Sequence, residues 1–467
     1  MGTDSVREGS RNTRNGENRE LFEVMPVPQA IRMLAVPTII SSMITVIYNM
    51  ADTFFIGRVN NPLMVAGASL ILPVYNIVFA ISSIAATGGG TLIARLLGAG
   101  KDGEARRICV FSFWFSLASA LLFSFLTCGF MEPLLKVLGT SAGTYEFARR
   151  YCFCVIVIGA VPTVLSITMS SLLRNVGRSR QAGFGLSMGG MLNILLDPLF
   201  MFVLLPKGYE IVGAGLATAL SNLISCVYFS IAIQRLHNPV MSFSPNELFP
   251  SKESIRAFFT VGAASAVGPF LFDINYVVLN RMMAVYGDTA LAAIGIVFKI
   301  ERMPNSLGNG LCMGMVPLVA YNYASGDHRR MDEAMAYTRW VGLLIAAGCI
   351  LLYESFAPAL MHAFIADAET VKLGTKFLRI RALATPMMFL CYYHVHFFQG
   401  IGRGGYTLGM TTLRFGVVGI PMVLLLGTVF GMYGLTWAQL TGDSIVAALS
   451  FVIYNKFRKN KQLVAAT

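Results

Sequence analysis

The chain has 467 residues, 55% of them apolar and only 13% charged, with a mean hydropathy of +0.64. Soluble domains carry about 25% charged residues, so this composition excludes a soluble globular protein and describes an all-α membrane protein with many spans. The net charge of +12 does not point to a nucleic-acid partner: the basic residues are scattered over loops, where a topogenic role accounts for them.

Residues 1–28 mix both charge signs, hold no apolar core of the kind a cleavable signal needs, and read as a disordered cytoplasmic tail. A spanning helix needs about 20 largely apolar residues. That rule places helices at 30–57, 64–91, 107–131, 148–172, 180–204 and 211–236. A second set falls at 255–285, 290–316, 334–361, 376–400, 405–430 and 432–456. The longest polar connector, 237–254, contains His237, Pro239, Pro245 and Pro250. It separates an N-terminal six-helix lobe, 29–236, from a C-terminal one, 255–457, and residues 458–467 form a second tail.

Orientation follows from the basic residues. If the N-terminus is cytoplasmic, the inner loops hold Arg95, Lys101, Arg106, Arg174, Arg329 and Arg403 among others, while the outer loops keep little beyond Arg58, Lys136, Lys207, Arg281, Lys372 and Lys376. The expectation is a multi-pass protein of the cell (inner) membrane with both termini inside. The halves also repeat. The stretch from Ala94 to Gly100 lines up with that from Ala320 to Gly326, and Arg174-Asn-Val-Gly177 with Gln399-Gly-Ile-Gly402. Six spans is an even number, so both lobes insert the same way, related by a pseudo-twofold along the membrane normal with a cavity between them.

The fifth helix carries the most informative stretch, Asn193-Ile-Leu-Leu-Asp197-Pro198. Positions i and i+4 share one helix face, so Asn193 and Asp197 present oxygens to the same spot. Pro198 cannot donate to the Ile194 carbonyl, which frees an acceptor there. A carboxylate, an amide oxygen and a spare carbonyl suit a proton or Na⁺. The plainer reading is a kinked helix whose Asp is satisfied by a neighbour, but ionisable groups in lipid are costly without a function. Asp52 lies roughly 8 Å from the outer end of the first helix and Asp197 roughly 10 Å from that of the fifth, so the two share a depth. Carboxylates that close in a low dielectric resist carrying two charges at once, which favours loading and release of a proton. A packing role for Asp52, bonded to Asn49 or Tyr48, is the alternative.

The second lobe places Asp273 in the seventh span, Lys299, Glu301 and Arg302 in the eighth, and Asp443 in the twelfth. Neighbours at i+2 do not face each other on a helix, so Lys299 and Glu301 need partners elsewhere, with Asp273 a candidate. A structural ion-pair network and a substrate or coupling role both stand for this group, and Tyr48 and Asn49 of the first helix are candidates for the latter role as well.

Other chemistries find no support. His394 and His396 diverge by about 200° on a helix, which prevents joint chelation, and the eight cysteines lie in apolar segments without metal spacing. There is no nucleotide-binding Gly-x-x-x-x-Gly-Lys motif; the run Gly88-Gly89-Gly90 follows no strand and is no phosphate cradle. Without a clustered nucleophile and base or a metal set, an enzyme is not expected, nor any cofactor beyond the coupling ion.

Several motifs recur together: Val36-Pro37-Thr38, Tyr48-Asn49-Met50-Ala51-Asp52-Thr53 running on to Gly57, Arg174-Asn-Val-Gly177, Asn193 to Phe200, and Val212-Gly-Ala-Gly-Leu-Ala-Thr218. In this order and at these spacings the chain resembles the multidrug and toxic compound extrusion (MATE) family, most closely its MepA-like members, from about Met25 to Phe457. The resemblance implies two six-helix lobes and a secondary antiporter that exports small organic, often cationic, drug-like compounds in exchange for H⁺ or Na⁺. It further implies cation or proton binding at Asp52 and Asp197, and matches Thr218 to a hydroxyl ligand. Asp273 falls in the region where the NorM-like branch keeps an acidic residue. The C-terminal lobe lacks the Asn-x-x-x-Asp-Pro pattern, so its chemistry is not a copy of the first lobe's. A flippase for a lipid-linked sugar shares the two-lobe plan and is the second reading; it would want a cavity richer in arginine.

Overall fold

A computed structural model describes residues 20–59, 61–236 and 238–465. Residues 1–19, which make up most of the expected tail, and His237 of the connector lie outside the described residues, as do the side chains from position 460 onward.

All regular structure among the described residues is helical. The first lobe comprises α1 (Val27–Arg58), α2 (Pro62–Gly98), α3 (Asp102–Gly129), α4 (Tyr145–Ile158 and Ala160–Asn175, bent by 43°), α5 (Ser179–Leu204) and α6 (Glu210–Leu236). The second comprises α7 (Lys252–Ala284), α8 (Asp288–Ser325), α9 (His328–His362) and α10 (Ala368–Ala382 with Thr385–Gly400). A last long segment, Gly404–Lys459, is broken at Gly431 (φ 64, ψ −145) into α11, 404–430, and α12, 432–459. These are the twelve expected spans.

Several helices outrun their apolar stretches. α2 continues to Gly98 and α8 to Ser325, well beyond residues 91 and 316, because a helix leaving the apolar layer still satisfies its backbone best by continuing its own ladder. The repeat is visible in the turns. Gly100 and Gly326 take φ 69 and 86, and Gly177 and Gly402 take φ 87 and 78. Each matched pair thus sits in the left-handed region, where a Cβ is penalised.

The lobes meet where α1 and α2 of the first pack on α7 and α8 of the second. Contact is closest near the start of α1 and the end of α8. A Cβ on Gly314 would lie 2.4 Å from the Ala35 Cα, and one on Gly98 2.2 Å from the Tyr321 carbonyl oxygen. Towards the Arg58 end of α1 the lobes part around a cavity of about 1220 Å³, walled by Phe54 and Asn76 on one side and by Asp273, Lys299 and Arg302 on the other. A further space of about 610 Å³ shares Asn76, Asp273 and Arg302 with it and adds Ser171, Arg174 and Gln399.

The expected disordered tail gives way at Glu20. Residues Glu20–Val24 form a π-helical turn in which Leu21 and Phe22 are buried. Phe22 stacks on Tyr321 with ring centroids 4.8 Å apart. The Arg330 guanidinium donates to the carbonyls of Phe22 (2.6 Å), Leu21 (3.2 Å) and Met25, and the Tyr321 hydroxyl donates to Glu23 at 2.5 Å. Leu21 also abuts the Gly177 turn of the first lobe, so this segment touches both lobes. Two adjacent apolar residues give it something to bury, which its net polarity concealed. The other expected tail is likewise a continuation of structure: α12 runs on as helix, and Arg458 pairs with Asp332 at 2.5 Å. The connector after α6 docks on the start of α3, where the Glu104 carboxylate accepts from the Ser251 N–H at 2.7 Å and Trp114 donates to the Phe243 carbonyl at 3.1 Å.

Candidate functional site

α5 brings Asn193 and Asp197 onto one buried face, with Asp197 at 0% and Asn193 at 2% exposure. The Asn193 amide donates to Asp197 Oδ1 at 3.2 Å and reaches the Thr218 hydroxyl of α6 at 3.3 Å. Thr218 in turn donates to the Ala214 carbonyl at 3.1 Å. Three oxygens remain without a donor although they are buried: Asn193 Oδ1, Asp197 Oδ2 and Asp52 Oδ1. Buried acceptors are ordinarily satisfied, so three together mark a place that favours a proton or a small cation. Asp52, from α1, lies within coulombic range of Asp197. Tyr48 and Tyr151 lie in range of both carboxylates, and Tyr75, in range of Asp52, bonds the Thr163 hydroxyl. Among the described residues no lysine or arginine pairs with either acid. Immediately after Pro198 the helix widens into the π-helical turn Leu199–Leu204, consistent with the acceptor that proline leaves free.

The second lobe treats its acids differently. Glu301 is closed by a two-pronged bond from Arg381, at 2.8 and 2.8 Å. Asp443 is closed in the same way by Arg414, at 2.8 and 3.1 Å. Arg381 lies over the Phe298 ring at 4.5 Å and Arg414 over Tyr392 at 4.5 Å. Asp273 accepts from the Asn76 amide at 2.5 Å, a bond that crosses between the lobes. The expected partnership of Asp273 with Lys299 and Glu301 is therefore corrected: Glu301 takes an arginine from α10, and Asp273 takes an amide from α2. Lys299 and Arg302 face the cavity.

Tyr48 and Asn49 part company, as adjacent helix positions must: Tyr48 faces the carboxylates and Asn49 lines the cavity between the lobes. His394 bonds Ser450 and His396 bonds the Tyr392 carbonyl, each at 2.8 Å. Sequence reasoning missed Arg381, Arg414, Asn76 and Tyr75. Arg414 left a signal, since it interrupts an apolar stretch as plainly as Asp197 does, whereas Arg381 stands among Lys372, Lys376 and Arg379 and is not singled out. The amide and the phenol left none.

Two six-helix lobes around a lined cavity, with unpaired buried carboxylates in one lobe, define a multi-pass membrane transporter. The MatE family model matches residues 37–199 and 264–425, one stretch in each lobe, and the chain belongs to that family. A relative, the multidrug export protein MepA of Staphylococcus aureus (strain bovine RF122 / ET3-1), is 28% identical over 434 residues, covering 92% of this chain and 94% of that protein. Among solved structures, a MATE in complex with MaL6 superposes with a TM-score of 0.89 at 21% identity over 94% of this chain and 98% of the other. The outward-facing conformation of a multidrug resistance MATE family transporter of the MOP superfamily gives 0.87 at 22% identity over 94% and 97%.

Proposed function

We propose that the chain exports small organic compounds by exchange for H⁺ or Na⁺, with Asp197, Asp52, Asn193 and Thr218 as the place where the coupling cation loads. One observation carries this: the fully buried Asp197 keeps Oδ2 without a donor, beside the equally unpartnered Asn193 Oδ1. A carboxylate in that position needs a proton or a cation. Loading it removes the charge that favours one arrangement of α5, and an ion can bias two conformations only through its different affinity for each. The π-helical turn after Pro198 is the element suited to respond. That the relative quoted above is a multidrug export protein supports organic compounds as the cargo.

The lipid-linked-sugar flippase gains one point from the structure, since four arginines line the space between the lobes. Two of them are closed by Glu301 and Asp443, which weakens the case. The test is dye efflux from cells that overproduce the protein, using ethidium and carboxyfluorescein. Efflux of whichever dye is carried stops when a protonophore and a sodium ionophore are added together with ATP held high. Efflux that survives collapse of both gradients rejects exchange.

A further inference from the structure

The cavity between the lobes is lined by more bases than acids, and two of its three acids are held by arginines. Five basic and three acidic side chains line its two connected spaces. Glu301 is closed by Arg381 and Asp443 by Arg414, while Asp273 accepts from Asn76. Lys299, Arg302 and Arg174 line these spaces and form no salt bridge among the described residues, though Arg302 lies within coulombic range of Asp273. Arg174 is only 5% exposed, and its Nε has no acceptor. Lys299 and Arg302 stand three apart on α8, so they share a face. Phe54, Phe272 and Phe298 add aromatic wall beside them.

We propose that this cavity takes organic anions: amphiphilic compounds whose carboxylate is held by Lys299 and Arg302, with Arg174 deeper in, and whose apolar body lies against the aromatic wall. An entering cation meets a net positive lining in which Asp273, bonded by a neutral amide, is the one carboxylate outside an arginine pair. An entering carboxylate meets three cations held in no salt bridge, in a half-enclosed space where charge-assisted hydrogen bonds are strengthened by low polarity. Neither Asp52 nor Asp197 lines the cavity, so substrate and coupling cation occupy separate places. The proposal rests on the transport reading above and names its substrate class.

The test is equilibrium binding of carboxyfluorescein and of ethidium to the purified full chain in detergent, read by fluorescence anisotropy without any ion gradient. Carboxyfluorescein binds about tenfold more tightly than ethidium or better. The double substitution Lys299→Gln with Arg302→Gln weakens carboxyfluorescein by about fivefold or more and leaves ethidium no weaker, and Lys299→Arg retains the anion. If the double variant does not fold, Lys299→Gln alone, at a cavity-facing position, must weaken the anion by about threefold or more. Ethidium binding as tightly as carboxyfluorescein, no anion binding, or smaller losses overturn the proposal. Because no gradient is present, efflux that survives ionophores would remove the exchange reading and leave this result standing.

Discussion

The two lobes repeat one plan and put opposite electrostatics on it. In the first, the buried Asp197 and the half-buried Asp52 have no basic partner among the described residues; Asn193 bonds Asp197 and reaches Thr218, and Tyr48 and Tyr151 lie in range of both acids. In the second, Glu301 and Asp443 are each closed by an arginine that also stacks on a ring. The equivalent helices make the difference sharp. α5 carries Asp197 just before its π-helical turn, and α11 carries Arg414 inside its own, Leu413–Gly419. A carboxylate with a fixed arginine has no reason to exchange protons or ions, whereas one without any base has every reason. A repeated fold thus yields one lobe whose Asp52 and Asp197 have no basic partner among the described residues and one whose Glu301 and Asp443 are held by arginines.

The largest test of that contrast is Asp197→Asn. The amide keeps the shape and can still meet Asn193, but it cannot release a proton or hold Na⁺. Gradient-driven export in liposomes falls to the level of protein-free liposomes, while the melting temperature stays near that of the parent. Full export by a well-folded Asp197→Asn protein breaks the contrast.

In the second lobe the expected effect is on stability. Arg414→Ala strands Asp443 without its partner in a buried site, which costs about 3–5 kcal/mol, measured by thermal or denaturant unfolding in detergent. Removing both charges, as Arg414→Met with Asp443→Leu, recovers most of that loss. If the single variant is as stable as the parent, the pair is not structural and the contrast between the lobes fails.

A third measurement sharpens the first lobe. If Asp52 and Asp197 serve one cation, Asp52→Asn, Asp197→Asn and the double variant are nearly equally impaired in coupled transport, a non-additive pattern. Losses that multiply would mean two separate sites. The smallest effect belongs to Thr218→Val, which removes one hydroxyl and weakens the apparent affinity for the coupling cation about fivefold, roughly 1 kcal/mol, read from the concentration dependence of transport.

Much of this was legible because membrane sequences expose their exceptions. Twelve apolar stretches, a polar connector and a carboxylate beside a proline inside lipid all announce themselves without a structure. Asn193, Asp197 and Thr218 come together as their spacing and the family resemblance suggested. Partner choice was not legible. Glu301 and Arg381 lie 80 positions apart, and Asn76 and Asp273 lie 197 apart; only the packing of whole helices decides such pairs. The segment from Glu20 to Val24 escaped for a different reason. Two apolar residues are too few for any periodicity, and their anchor is an arginine more than 300 positions away that binds carbonyl oxygens, which every sequence possesses.

The close approach of Gly314 to Ala35 and of Gly98 to Tyr321 fixes how that end of the molecule can open. A plug made of side chains can swing aside one rotamer at a time and leak in small steps. At these two points the facing atoms are backbone and a methyl group, which have no rotamers to change. Passage at this end therefore requires whole helices to separate, α1 and α2 moving away from α8 as rigid bodies. Such a barrier is either shut or parted, and thermal jostling of individual residues cannot short-circuit it.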